Sequence, residues 1–182
     1  MTNSVYIATS LDGFIAGKNG ELDWLHSIPN PDDSDFGFAE FMATVDALVM
    51  GRNTFETVMS FDGEWPYSKP VYVASNTLDL VPPGFEDKAS LIQGTPGEIV
   101  SVLNARGLRN LYIDGGATIQ QFLQWDMIDE MTITTVPLLL GEGIPLFASL
   151  KQPLAFEHQK TEVLLNSLVK TYYQRVRDQA KT

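Results

Sequence analysis

The chain has 182 residues, 44% of them hydrophobic and 19% charged, which suits one globular domain with a substantial core and excludes a disordered chain. Twelve basic against twenty-three acidic residues give a formal charge of -11, which argues against a nucleic-acid surface but not against a small anion held by local groups. Cysteine is absent and the two histidines, His26 and His158, lie far apart, so disulfides, thiol nucleophiles and zinc sites have little to build on.

The opening "MTNSVYIATS" has no basic stretch followed by a sustained apolar run, so no secretory signal is expected. No apolar stretch is long enough to span a bilayer, and a cytoplasmic protein without a membrane partner is the default expectation. "SVYIATS" (4–10) reads as a first strand. A loop marked by Gly13, Gly17 and Gly20 follows and closes on Trp24 and Leu25. After the acidic, turn-rich "HSIPNPDDSD", the helical spacing of Phe38, Phe41, Met42 and Val45 predicts a helix. "DALVMG" is a second strand and "RNTFETVMS" a second helix. "PVYVASN" (70–76) and "ASLIQG" (89–94) are further strands. "TPGEIVSVLNARG" carries Thr95 as a cap and Pro96 at the first helical position. "NLYIDGG" (110–116) is a strand, "ATIQQFLQW" a helix, and "DEMTITTVPLLLG" (129–141) a long strand with Pro137 near its end. Two final runs flank Asn166-Ser167 and predict an antiparallel hairpin.

Strand–helix alternation closed by a hairpin predicts an α/β fold: a mainly parallel sheet, helices on both faces and an antiparallel edge. Nothing resembles a linker or repeat, so one domain over 1–182 is expected, with a frayed tail from 177.

Familiar nucleotide and metal motifs fail. "GFIAGKN" has one residue too few between its glycines for a P-loop, and "GEGIPL" (141–146) ends in Leu146 where a dinucleotide fingerprint needs glycine. "DDSDFG" does not place calcium ligands, because Ala43 stands where the closing glutamate belongs; no metal site is expected.

In alternating sheets ligands bind at the carboxyl ends of strands. Three such ends here carry unusual residues: Gly51-Arg52-Asn53-Thr54, Ser75-Asn76-Thr77 and Gly115-Gly116-Ala117-Thr118. Each alone is an ordinary turn. Together they offer helix-start N–H groups, hydroxyls, one guanidinium and room for close approach, which fits an elongated ligand with several phosphates, a dinucleotide.

The ordered segments "VYIATSLDGFIA", "DALVMGRNTF", "PVYVASNT", "LYIDGGATIQQFL" and "TITTVPLLLGEGIPLF" resemble the dihydrofolate reductase superfamily. Within it they are similar to the branch containing the C-terminal reductase domain of the bifunctional riboflavin-biosynthesis deaminase–reductase. The resemblance implies a dihydrofolate reductase-like fold, hydride transfer from NADPH and a cofactor site spread over the strand ends. Arg52 and Thr54, beside Gly51 and Asn53, would hold phosphates, with Arg52 reading the 2′-phosphate. Ser75, Asn76 and Thr77 would lie near that phosphate. Gly115, Gly116, Ala117, Thr118 and Ile119 would wrap the pyrophosphate and the nicotinamide side, with Ala8 and Ile15 by the ring.

For the chemistry the resemblance points to Asp35, Asp12, Thr134 and Trp24. Asp35 lies sixteen residues before Gly51, matching the acid that binds the pterin, and equally suits a helix cap. Thr134 is similar to the threonine accompanying that acid, or simply fits a strand. Trp24 is similar to the tryptophan closing the substrate loop, or is a core anchor. Asp12 belongs to the branch's S-x-D-G pattern, or only fixes the turn before Gly13.

No H-x-E or P-C-x-x-C deaminase motif occurs in the sequence, so a stand-alone reductase acting on a small heteroaromatic, pterin- or pyrimidine-like substrate is expected. One alternative is the 5-amino-6-(5-phosphoribosylamino)uracil reductase step of riboflavin biosynthesis. Another is a non-catalytic nucleotide-binding or dimerisation protein on the same fold. "TTVPLLLG" and "IPLF" could line a homodimer contact or fill the monomer core.

Overall fold

"ALVMG" is a β-branched and apolar run without alternation, and it folds as a central parallel strand whose first four residues are fully buried. The structure, a computed structural model, describes residues 1–177. In chain order the elements are β1 (Thr2–Ser10), β2 (Phe14–Ala16), a 3-10 turn (Asp23–His26), α1 (Phe38–Thr44), β3 (Ala47–Gly51), α2 (Arg52–Met59) and β4 (Val71–Ala74). Then follow β5 (Ala89–Ile92), α3 (Pro96–Ala105), β6 (Asn110–Asp114), α4 (Gly116–Gln124), β7 (Glu130–Val136), β8 (Ile144–Pro145), β9 (Phe156–Leu164) and β10 (Leu168–Arg175).

The main sheet has the order β5-β4-β3-β6-β1-β7-β10-β9. The first six strands run parallel, β10 runs against β7, and β9 pairs antiparallel with β10. A mainly parallel sheet with an antiparallel edge is what the strand–helix alternation predicts. The chain reaches β3, β4 and β5 on one side, then returns to insert β6 between β3 and β1. That return brings the β6–α4 turn beside the β3–α2 turn in the middle of the carboxyl edge.

Period-two alternation assigns each strand's side chains to two cores. Val5, Val49, Leu111 and Ile113 face Ile99, Leu103, Ile119 and Phe122 of α3 and α4. Leu48, Met50, Val73 and Tyr112 face Met42 of α1 and Phe55 of α2. Helices therefore cover both faces, and each fully buried aliphatic side chain contributes roughly 1.5–3 kcal/mol against its exposed state. Among the described residues, no helix is long and apolar enough to cross a membrane.

Four sequence expectations need correcting. The long strand ends at Val136, because Pro137 has no N–H to continue the ladder. Of the apolar stretch beyond it, Leu138 and Leu140 pack around Trp24 and Leu146 is fully buried, which leaves Leu139, Ile144 and Phe147 exposed. The glycine-marked loop contains β2, which pairs antiparallel with β8 as a separate small sheet. The hairpin turns on Leu165 and Asn166 (φ 50° and 53°) and is closed by Ser167 N donating to Leu164 O, so the reversal sits one residue earlier than Asn166-Ser167. Arg177 is not frayed: its guanidinium bonds Asp129 Oδ1 at 2.6 Å and the Asp126 carbonyl at 2.8 Å. The rest of the expected tail, 178–182, lies outside the described residues.

Candidate active site

α2 and α4 start directly after β3 and β6, with Gly51 and Gly115 at the N-cap positions and no side chain capping either start. Gly115 N donates to Asp114 Oδ1, while the N–H groups that follow it in α4, and those that open α2, have no side-chain acceptor; both starts lie at the same edge of the sheet. By contrast Thr95 and Glu98 seal the start of α3 with a reciprocal capping box.

The glycines are where side chains would not fit. Gly115 has φ 86°, and a Cβ there would collide with Thr54 Oγ1. A Cβ at Gly51 would stand 2.9 Å from Thr118 Oγ1, and one at Gly116 would stand 2.7 Å from Ile15 Cδ1. These contacts bring Ile15, Gly51, Thr54, Gly115, Gly116 and Thr118 together as a cradle of two hydroxyls and two open helix starts. Ala117 and Ile119 follow in the first turn of α4, Ile119 fully buried in the core behind it. Pairing of Gly51 with Ala74 places Arg52 and the exposed Asn53 next to Ser75 on the adjoining strand end. Ser75 Oγ accepts from Thr77 N (3.2 Å) and Leu78 N (3.0 Å), a turn that leaves Asn76 and Thr77 exposed. Arg52 is also exposed, and its Nε donates to Glu56 Oε1 at 2.6 Å.

A cleft of about 550 Å³ is lined by residues of β1, β7 and the segment before α1. Ala8, Thr134, Asp35 and His26 line it, and Ala8 pairs with Thr134 across β1 and β7. Asp35 accepts from Gly37 N and Ala39 N, both at 2.8 Å. The Ala39 and Gly37 amides, with Lys170 adding attraction, hold its carboxyl below the usual carboxylate range. Asp35 is thus both helix cap and cleft wall, an ionised acceptor rather than a proton donor at neutral pH. Its loop is fastened from behind: Tyr6 Oη and Lys170 Nζ both donate to Phe36 O at 2.7 Å.

Two residues expected among the catalytic groups are placed elsewhere. Asp12 accepts from Ser10 Oγ (2.6 Å), Leu140 N (3.1 Å) and Gly141 N (2.8 Å), so it ties the β1–β2 turn to the segment after β7. Those donors, the Ser10 hydroxyl foremost, lower its pKa. Trp24 packs on Val136 and Leu168, while its neighbours Leu25 and His26 face the cleft. Asp12 is spent on these internal contacts, whereas the buried indole Nε1 of Trp24 has no hydrogen-bond partner among the described residues.

Sequence reasoning missed Asp114 and Lys170. Asp114 ends β6 immediately before Gly115 and accepts Gly115 N at 2.8 Å. It keeps some solvent access, yet desolvation dominates and pushes its carboxyl up to about 6 against the pull of Gly115 N and the Tyr112 and Tyr67 hydroxyls. A charged residue closing the apolar run "NLYID" was the available signal. For Lys170 the signal was its place in "LVK", two residues from buried Leu168 on the same strand face.

The RibD C-terminal domain family model matches residues 4–170. The uncharacterized protein YwjB of Bacillus subtilis is 36% identical over 149 residues, covering 80% of this chain and 82% of YwjB. A putative riboflavin biosynthesis protein from Shewanella sp. PV-4 has a crystal structure that is 58% identical in sequence, with a TM-score of 0.95 over 97% of this chain and 100% of that one. Dihydrofolate reductase from Enterococcus faecalis, solved with NADP(H), shares the fold at 19% identity and a TM-score of 0.66, over 97% of each chain. Matched over residues 4–170 and by a relative 36% identical across most of its length, the chain belongs to the RibD C-terminal domain family.

Proposed function

We propose that this protein is an NADPH-dependent reductase that delivers hydride to a small heteroaromatic, pterin- or pyrimidine-like molecule. The observation that carries this reading is the cradle: two uncapped helix starts converge where Gly51, Gly115 and Gly116 leave no room for side chains. That combination suits a pyrophosphate, which needs N–H donors and close backbone approach. Thr54 and Thr118 would add hydroxyl donors, and Arg52 with Ser75, Asn76 and Thr77 would meet the 2′-phosphate. Ala8 and Ile15 would bound the ring side.

Bound NADPH supplies the hydride; the protein supplies position and charge. Asp35, kept ionised by the α1 amides, would accept N–H donors from an amino-substituted ring, and Thr134 across the cleft would complete the polar wall. Because Asp35 is held as an acceptor, the proton that accompanies hydride must arrive by another route, and the His26 imidazole stands on the cleft wall.

Family membership favours 5-amino-6-(5-phosphoribosylamino)uracil as the substrate. The cleft opposes it, since Asp33 and Asp35 would meet the ribose phosphate, with His26 the only basic side chain among the described residues lining it. A substrate without phosphate is therefore preferred. Calorimetric titration of the purified protein with NADPH and NADH, followed by NADPH oxidation in the presence of pterins and aminopyrimidines, is the test. Expected are tighter binding of NADPH and turnover of an unphosphorylated ring; failure of a folded sample to bind either nucleotide defeats the reading.

A further inference from the structure

Resting on that reductase reading, we propose that Glu56 sets the cofactor preference by competing with the 2′-phosphate for Arg52. Arg52 is the first residue of α2, and its Nε is bonded to Glu56 Oε1 one helical turn further on. Four residues of helix correspond to about 6 Å along the axis. The pair therefore draws the guanidinium down the helix, away from the open start beside Ser75 where a phosphate would sit. Glu56 fills Arg52's charge requirement only when that phosphate is missing.

The pair is built to be exchanged. Its charges stand in the weaker order, with the cation toward the helix N-terminus and the carboxylate toward the C-terminus, opposed to the macrodipole. The first turn of α2 holds no acidic residue, so apart from Glu56 one turn on, nothing in the helix offsets the repulsion between Arg52 and the positive end of the dipole. Both side chains are nearly half exposed (45% and 44%), which keeps the attraction screened and the rearrangement inexpensive. A phosphate dianion at the helix start offers a stronger, forked partner together with free N–H groups. A dinucleotide with only a hydroxyl at that position offers nothing that displaces Glu56. The carboxylate thus acts as an internal anion that phosphate must replace, and it lowers affinity for the phosphorylated cofactor alone.

The experiment is calorimetric titration of wild type, Glu56→Gln and the Arg52→Ala/Glu56→Gln double variant with NADPH and NADH at one ionic strength. Glutamine keeps the helix propensity and size of an exposed position, so folding is not at issue. Glu56→Gln is expected to bind NADPH roughly two- to fivefold more tightly, the range of an exposed ion pair, with NADH unchanged. The gain should vanish once Arg52 is also removed. Unchanged or weaker NADPH binding in Glu56→Gln, or equal gains for both nucleotides, overturns the competition while leaving the reductase reading intact. No NADPH binding by folded wild type removes that reading and this inference with it.

Discussion

Three of the helices follow a strand and begin at the same edge of the sheet, yet α3 starts differently from α2 and α4. The N-terminus of α3 is sealed: Thr95 N donates to Glu98 Oε2 at 2.8 Å, Glu98 N donates to Thr95 Oγ1 at 3.4 Å, and Pro96 removes one donor altogether. At α2 and α4 a glycine stands in the capping position and offers no side chain to the first turn. A helix that only has to be stable closes its orphan N–H groups with its own side chains. A helix that has to hold an anion leaves them open and accepts a lower intrinsic stability.

This contrast can be broken most severely at Gly115. Gly115→Ala puts a Cβ into Thr54 at a backbone φ of 86°. It is expected to cost about 1–3 kcal/mol of stability in urea denaturation and to weaken NADPH binding more than about 100-fold by calorimetry.

Asp114 sharpens the contrast, because it places a carboxyl on the amide that opens the α4 turn. Its folded pKa of about 6 lies above the ordinary 3.8, so the native state binds the proton more tightly than the unfolded chain. The stability it contributes is complete below about pH 4 and is lost as pH rises through about 6. Asp114→Asn should therefore unfold at higher urea than wild type at pH 8, by up to about 3 kcal/mol, and match it at pH 4. A variant that is no more stable at pH 8 would show that the carboxyl is not strained by burial.

Arg52→Ala tests the charge at the open start of α2, with an expected loss of about 10- to 100-fold in NADPH affinity and little change for NADH. Equal losses would show that the guanidinium does not read the 2′-phosphate. The smallest effect is expected at the sealed helix: Thr95→Ala should cost about 1 kcal/mol in denaturation and leave nucleotide binding unaltered.

Much of this was legible in the sequence because it rests on local rules. The capping residues of α3, the buried run "ALVMG" and the glycine pair after β6 each announce a backbone requirement that neighbours in sequence satisfy. The parts that were not legible depend on partners distant in the chain. Asp12 carries a turn signature, but its role is decided by the Leu140 and Gly141 amides, which sequence separation hides. Trp24 satisfies the pattern of a substrate-facing residue, and only the approach of Val136 and Leu168 turns it inward. Lys170 defeats the expectation that lysine is exposed, because its ammonium is met by the Phe36 carbonyl and lies over the Tyr6 and Tyr172 rings (4.9 and 5.2 Å).

The Asp12 contacts have a mechanical consequence. One carboxylate grips the β1–β2 turn and the segment after β7, and a few residues further on β2 pairs with β8. The two flaps bordering Ile15 are thereby joined at two points, like pages held by two rings. Displacing either segment alone would break the Asp12 contacts or the β2–β8 pairing. The Ser10 hydroxyl, with the Gly141 and Leu140 amides, holds the Asp12 carboxyl below the usual carboxylate range, so both ends of this tie are charge-assisted at neutral pH.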